Sequence, residues 1–177
     1  QVVVPGMNRI QAYDVETGAI VWHTAGLTMN PIPSPVADDT RVYLMSGFRG
    51  NSLKAIRFGQ ARGDITGTDA VAWTVERDTP YVPSPLLYDG ILYFLKSNTG
   101  ILSAYDAAAG KPHFQLQRLP QAAEVFASPV GAAGRVYITS REGTTLVLKH
   151  GPAFEILAQN RLSDGFDASP AVVGRDI

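Results

Sequence analysis

A Ser-Pro pair recurs at residues 34–35, 84–85, 128–129 and 169–170 and nowhere else in the chain, at spacings of 50, 44 and 41 residues. In the first three copies an aromatic follows the proline by eight positions inside an apolar triplet: "VYL" around Tyr43, "LYF" around Tyr93 and "VYI" around Tyr137. Short apolar runs separated by turn residues, at a period of roughly 40–50 residues and without helical periodicity, are the pattern of a β-propeller built from four-stranded antiparallel blades. The fold class expected is therefore all-β.

Each blade reads as four strands. The first opens on the Ser-Pro pair, as in "SPLLY" and "SPVGA", and a Gly- or Asp-rich turn leads into the second, such as "ILYFL" or "RVYIT". The third is "RIQAYD" or "ILSAYD", and the outer one "AIVWHT", "AVAWTV" or "FEILAQ". Proline suits the first residue of a strand, where its missing N–H removes no ladder bond. Serine beside it is expected to bond local backbone as the chain enters the blade. This structural role outweighs a nucleophilic one, because repeated serines would each need a base and an orienting group. The resulting boundaries are a partial blade over 1–30, blades over 31–80, 81–124 and 125–165, and the start of another over 166–177.

Composition removes several function classes. With 177 residues, 45% hydrophobic and 18% charged, the chain can bury a sizeable core. A net charge of -1 without runs of like charge gives no electrostatic footprint for nucleic acid or a polybasic membrane patch. No cysteine is present, which excludes disulfides, thiolate metal sites and thiol nucleophiles. No apolar run reaches the length of a membrane-spanning helix.

A second motif joins the third and fourth strands. "AYDVETGAIVW" (Ala12 to Trp22) and "AYDAAAGKPHF" (Ala104 to Phe114) share Ala, Tyr, Asp, then Gly four residues after the Asp and an aromatic four further on. The physical reading is a hairpin in which Asp14 and Asp106 cap the turn, Gly18 and Gly110 take positive φ, and the aromatic packs between blades.

At these residues the chain resembles the quinoprotein-like propeller superfamily, whose repeat carries an Ala-x-Asp-x-x-x-Gly-x-x-x-Trp hairpin, within the wider WD40- and YVTN-like propellers. It is most similar to bacterial PQQ-binding-like β-propeller repeat proteins, relatives of the scaffold lipoprotein of the outer-membrane barrel-assembly machine. Stretches such as "GDITGTDAVAW" (Gly63 to Trp73) and "ASPVGAAGRVYITSREGTTLVLKHGP" (Ala127 to Pro152) are similar to that group's C-terminal half. The resemblance implies a segment of an eight-bladed propeller and a periplasmic or otherwise extracytoplasmic setting. It also implies a scaffold that binds a protein or peptide, with no catalytic, cofactor or metal residues of its own. The alternative it implies is a quinone (PQQ)-dependent dehydrogenase using calcium, whose site lies outside this segment. Against that alternative, the chain lacks the adjacent cysteines of the alcohol-oxidising members, and Trp22 and Trp73 fall on outer strands.

The candidate ligand face is formed by two sets of loops. Those entering the first strands carry Tyr81, Phe126, Phe166 and Asp167, and those between second and third strands carry Arg49, Asn51, Asn98, Arg141 and Glu142. Aromatic and arginine side chains on one rim suit a protein or peptide site; Tyr81 and Phe126 could equally plug a central channel. "GDITGTD" reads as a loop insertion lengthening one blade, since it lacks the lysine and helix of a phosphate-binding loop. His23, His113 and His150 fall on or beside outer strands of separate blades, which argues against a shared metal.

Finally, Ile177 occupies the repeat position of Leu92 and Gln1 that of Tyr93, so the chain ends one position before the phase at which it begins. Two expectations follow: the remaining blades lie on a longer chain, or a second copy completes the broken blade.

Overall fold

A computed structural model describes residues 1–174. The chain forms two compact units, Gln1–Tyr81 and Val82–Ile177. Strands account for nearly all regular structure, and the described residues include no helix long and apolar enough to cross a membrane.

The first unit holds two sheets. One contains β1 (Val2–Val4), β2 (Arg9–Tyr13) and β3 (Ile20–Ala25); the other contains β4 (Val36–Ala37), β5 (Arg41–Ser46), β6 (Ser52–Arg57) and β8 (Val71–Val75). The second unit holds β9 (Leu86–Tyr88), β10 (Ile91–Leu95), β11 (Ile101–Asp106) and β12 (Pro112–Arg118), followed by β13 (Val130–Ala132), β14 (Arg135–Thr139), β15 (Thr144–Lys149) and β16 (Ile156–Arg161). Apart from one strand described below, every pairing is antiparallel between consecutive strands, the blade order read from the repeat. The Ser-Pro phase sets the register: Val36, Leu86 and Val130, each following the proline, lie opposite Tyr43, Tyr93 and Tyr137. The fourth Ser-Pro copy forms no named strand among the described residues, and Ile177, used to mark the repeat phase, lies outside them.

The "AYD" hairpins form as their residue types require. Asp14 Oδ1 accepts the Thr17 N–H at 2.8 Å and the Glu16 N–H at 3.1 Å, while Asp106 Oδ1 accepts the Ala109 N–H at 2.6 Å. Gly18 and Gly110 adopt φ of 70° and 69°, the left-handed values that close both turns. Fixing the turn this way places Trp22 and Phe114 on their outer strands facing Ala12 and Ala104.

In the first unit the core joins Ile10, Ala12 and Trp22 of one sheet to Val42, Leu44 and Ile56 of the other. In the second it joins Tyr93, Leu95, Leu102 and Ala104 to Val136, Ile138, Leu146 and Leu148. Each fully buried Leu, Ile or Val contributes roughly 1.5–3 kcal/mol before the cost of ordering the chain.

One local expectation changes and another is extended. "GDITGTD" is not a free loop, because β7 (Gly63–Asp64) pairs in parallel with β3, setting Trp22 opposite Gly63 and His23 opposite Asp64. Ile65 follows it into the core at 2% exposure and donates its N–H to the His23 carbonyl. The insertion thus fastens the second sheet of this unit to the outer edge of the first. The Ser-Pro serines of the second unit also bond across blades. The Ser84 N–H donates to Ser128 Oγ, and the Ser128 N–H to Ser169 Oγ, both at 2.9 Å. Each hydroxyl therefore satisfies the entry amide of the preceding blade.

Candidate functional site

In the second unit, residues 119–128, which lead from β12 to β13, are held on both sides by backbone bonds. The Val125 N–H donates to the Asn98 carbonyl and the Gly100 N–H to the Ala123 carbonyl, while the Arg141 N–H donates to the Glu124 carbonyl. Gly100 permits this approach, since a Cβ there would overlap the Ala122 carbonyl oxygen.

This framework brings four expected residues together. The Arg141 guanidinium donates through Nη2 to Asp167 Oδ2 at 3.0 Å, and its Nε lies 2.9 Å from Oδ1, a two-point contact. It lies 4.3 Å from the Phe126 ring centre, in cation–π range, and 3.6 Å from Glu124 Oε2. The hydrogen bond to Asp167, reinforced by its charge, raises the Arg141 pKa above its ordinary value. Glu142 Oε1 accepts the Glu124 N–H at 3.0 Å. Partial burial pushes the Glu142 carboxyl up, but hydrogen bonds from that N–H and the Ser140 hydroxyl outweigh it, leaving the pKa lowered.

Asn98 joins the framework rather than the exposed cluster: its Oδ1 accepts the Val82 N–H at 3.0 Å. Phe166 lines a separate cavity of about 270 Å³ with Thr139, Thr145, Leu162, Ala168, Ser169 and Pro170.

In the first unit, Tyr81 stacks on Phe48 with ring centres 4.6 Å apart, and the Arg49 guanidinium lies 5.5 Å from the Phe48 centre. Asn51 resembles Asn98 in use, its Oδ1 accepting the Thr79 N–H at 3.0 Å. Phe48, 42% exposed, and Glu124 are the members that sequence reasoning missed. Both adjoin chosen residues, Phe48 preceding Arg49 and Glu124 lying two before Phe126, so an aromatic or acid flanking each rim residue was the available signal.

His150 Nδ1 lies 3.0 Å from the Tyr93 hydroxyl, and His23 Nδ1 lies 3.7 Å from Asp64 Oδ1. Among the described residues no group of three or more His, Asp or Glu side chains converges. Trp22 is fully buried within its unit's core.

Residues 6–160 match the family model described as outer membrane protein assembly factor BamB. The chain belongs to this family. No curated protein matches the chain by sequence. Among solved structures, BamB from Moraxella catarrhalis is similar at 16% identity, covering 94% of this chain and 62% of that one, with a TM-score of 0.49. The computationally designed Ika8 protein matches at 14% identity and a TM-score of 0.63, over 92% of this chain and 47% of that one. The N-terminal domain of Nup159 matches at 11% identity and a TM-score of 0.56, over 90% and 41%. The last two likenesses concern the fold alone. This BamB-family chain spans less than two thirds of the length of each.

Proposed function

We propose that the chain is a non-enzymatic β-propeller scaffold that holds a protein or peptide partner on its loop-bearing ends, in an extracytoplasmic setting. The observation that carries this reading is the Phe126–Arg141–Asp167 cluster. It presents an aromatic face and an oriented guanidinium on clamped backbone, while the Arg141 side chain stays 46% exposed. Arginine and aromatic anchors held in place before binding lose little freedom when a partner arrives, which is where interface energy concentrates. The Phe48–Tyr81 stack offers a second aromatic platform on the first unit. Membership of the outer membrane protein assembly factor family supports partners of that class.

The test is binding to an array of overlapping peptides drawn from outer-membrane β-barrel proteins. Captured peptides should lose at least about tenfold in affinity when Phe126→Ala and Arg141→Ala are combined, with unchanged circular dichroism. Undiminished capture would overturn the site. Quinone- and calcium-dependent dye reduction by the chain would overturn the scaffold reading altogether.

A further inference from the structure

The register of the second sheet places Arg41 directly opposite Arg57 on β5 and β6. Like charges at directly opposed positions repel unless something compensates them. The corresponding pairs elsewhere are resolved. In the β9–β12 sheet the position is Ile91 opposite Asp106. In the β13–β16 sheet it is Arg135 opposite Lys149, and Lys149 Nζ lies 3.2 Å from Glu155 Oε2.

No such carboxylate serves Arg41 and Arg57. Among the described residues neither makes an ion pair: Arg41 Nη1 donates to Thr40 Oγ1 at 3.0 Å, its side chain also bonds the Tyr43 hydroxyl, and Arg57 Nη1 donates to the Asp69 carbonyl. The nearby Asp38 is committed to its own turn and to the Tyr43 hydroxyl. Both arginines line one cleft of about 340 Å³ with Asp39, Thr40, Gly59 and Gln60. Gly59 and Gln60 belong to a short 3-10 turn, Phe58–Gln60, that opens the insertion carrying β7. The insertion therefore also walls this cleft.

We propose that this cleft binds a phosphate group. Both arginines line this cleft from opposed strands, the buried Arg41 Nε has no hydrogen-bond partner among the described residues, and a phosphate oxyanion would accept from guanidinium N–H groups and neutralise the like charges. The source is either a free phosphate compound or a phospholipid headgroup. The cleft lies at the ends of β5 and β6 remote from the Phe48–Arg49 turn, roughly 17 Å away along the strands. Its function is separable from that of the rim.

Calorimetric titration of the 177-residue chain with inorganic phosphate, against sodium chloride of equal ionic strength, tests it. Arg57→Gln and Arg41→Gln should each weaken binding by about tenfold or more, whereas Asp39→Asn, which removes an opposing charge from the same cleft, should tighten it. Arg118→Gln, outside this cleft, should change nothing. Sedimentation with phosphatidylglycerol and phosphatidylcholine vesicles separates the sources: selective binding to the former, lost in Arg57→Gln, assigns a headgroup, and phosphate binding without it assigns a soluble ligand. Absence of both responses, or equal binding by the two arginine variants and the parent, overturns the proposal.

Discussion

The Arg141 guanidinium meets the Asp167 carboxylate at two points, 2.9 and 3.0 Å, while lying 4.3 Å from the Phe126 ring centre. Exposed ion pairs add little to stability, so Asp167→Ala should shift the melting temperature by no more than about 2 °C. The orientation of the guanidinium should change more: proton exchange at Arg141 Nε, followed by NMR, should accelerate in the variant. Unchanged exchange would show that Asp167 does not hold the side chain.

The Ser128 hydroxyl accepts the Ser84 N–H in the blade before it. Ser128→Ala leaves that part-buried amide without its acceptor and should cost about 1–2 kcal/mol in urea unfolding. Ser128→Thr, which keeps the oxygen, should recover part of the loss.

Gly100 lies where a Cβ would strike the Ala122 backbone carbonyl, which cannot yield as a side chain does. Gly100→Ala should destabilise by roughly 2–3 kcal/mol and disturb the loop that carries Phe126. Gly59→Ala, with nothing near the added carbon, should stay within about 0.5 kcal/mol of the parent.

Ile65, 2% exposed, carries the insertion into the core of the first unit. Ile65→Ala should cost about 2–5 kcal/mol, a size foreign to a loop residue. A loss below about 1 kcal/mol would return the segment to the status of a loose insertion.

Asp38 Oδ1 accepts the Thr40 and Arg41 N–H groups, and Oδ2 accepts the Tyr43 hydroxyl at 2.8 Å. Burial pushes the carboxyl up, but these bonds together outweigh it, so its pKa is lowered on folding. Its stabilisation is present above the unfolded carboxylate pKa near 4 and is lost as pH falls through the lower folded value. Tyr43 behaves oppositely: burial first, then the Asp38 bond, raises its pKa. Its contribution is complete below about pH 10 and fades as pH rises towards the folded value. Unfolding measured against pH should therefore lose stability at both extremes, and Asp38→Asn should flatten the acid limb.

The blades and their "AYD" hairpins were legible because their determinants are local: a capping aspartate, a glycine at positive φ and a proline at a strand entry act within a few residues. The role of the Ser-Pro serine was not, since the hydroxyl's partner lies in another blade, 44 residues away for Ser84 and Ser128. "GDITGTD" carries ordinary turn residues, and nothing local shows that Asp64 pairs beside His23. At the rim, composition singled out Arg141, Asp167 and Phe126, yet their meeting depends on how neighbouring blades stack. Arg41 and Arg57 became a pair only once strand register was known.

The serine relay also has a direction. Because the acceptor for the Ser84 amide lies on the later blade, and that for Ser128 later still, synthesis from the N-terminus leaves the newest blade with an unfilled donor until its successor arrives. A duplicated repeat brings its own hydroxyl to the blade before it and a new amide for the blade after, so the relay lengthens by one link each time without redesign.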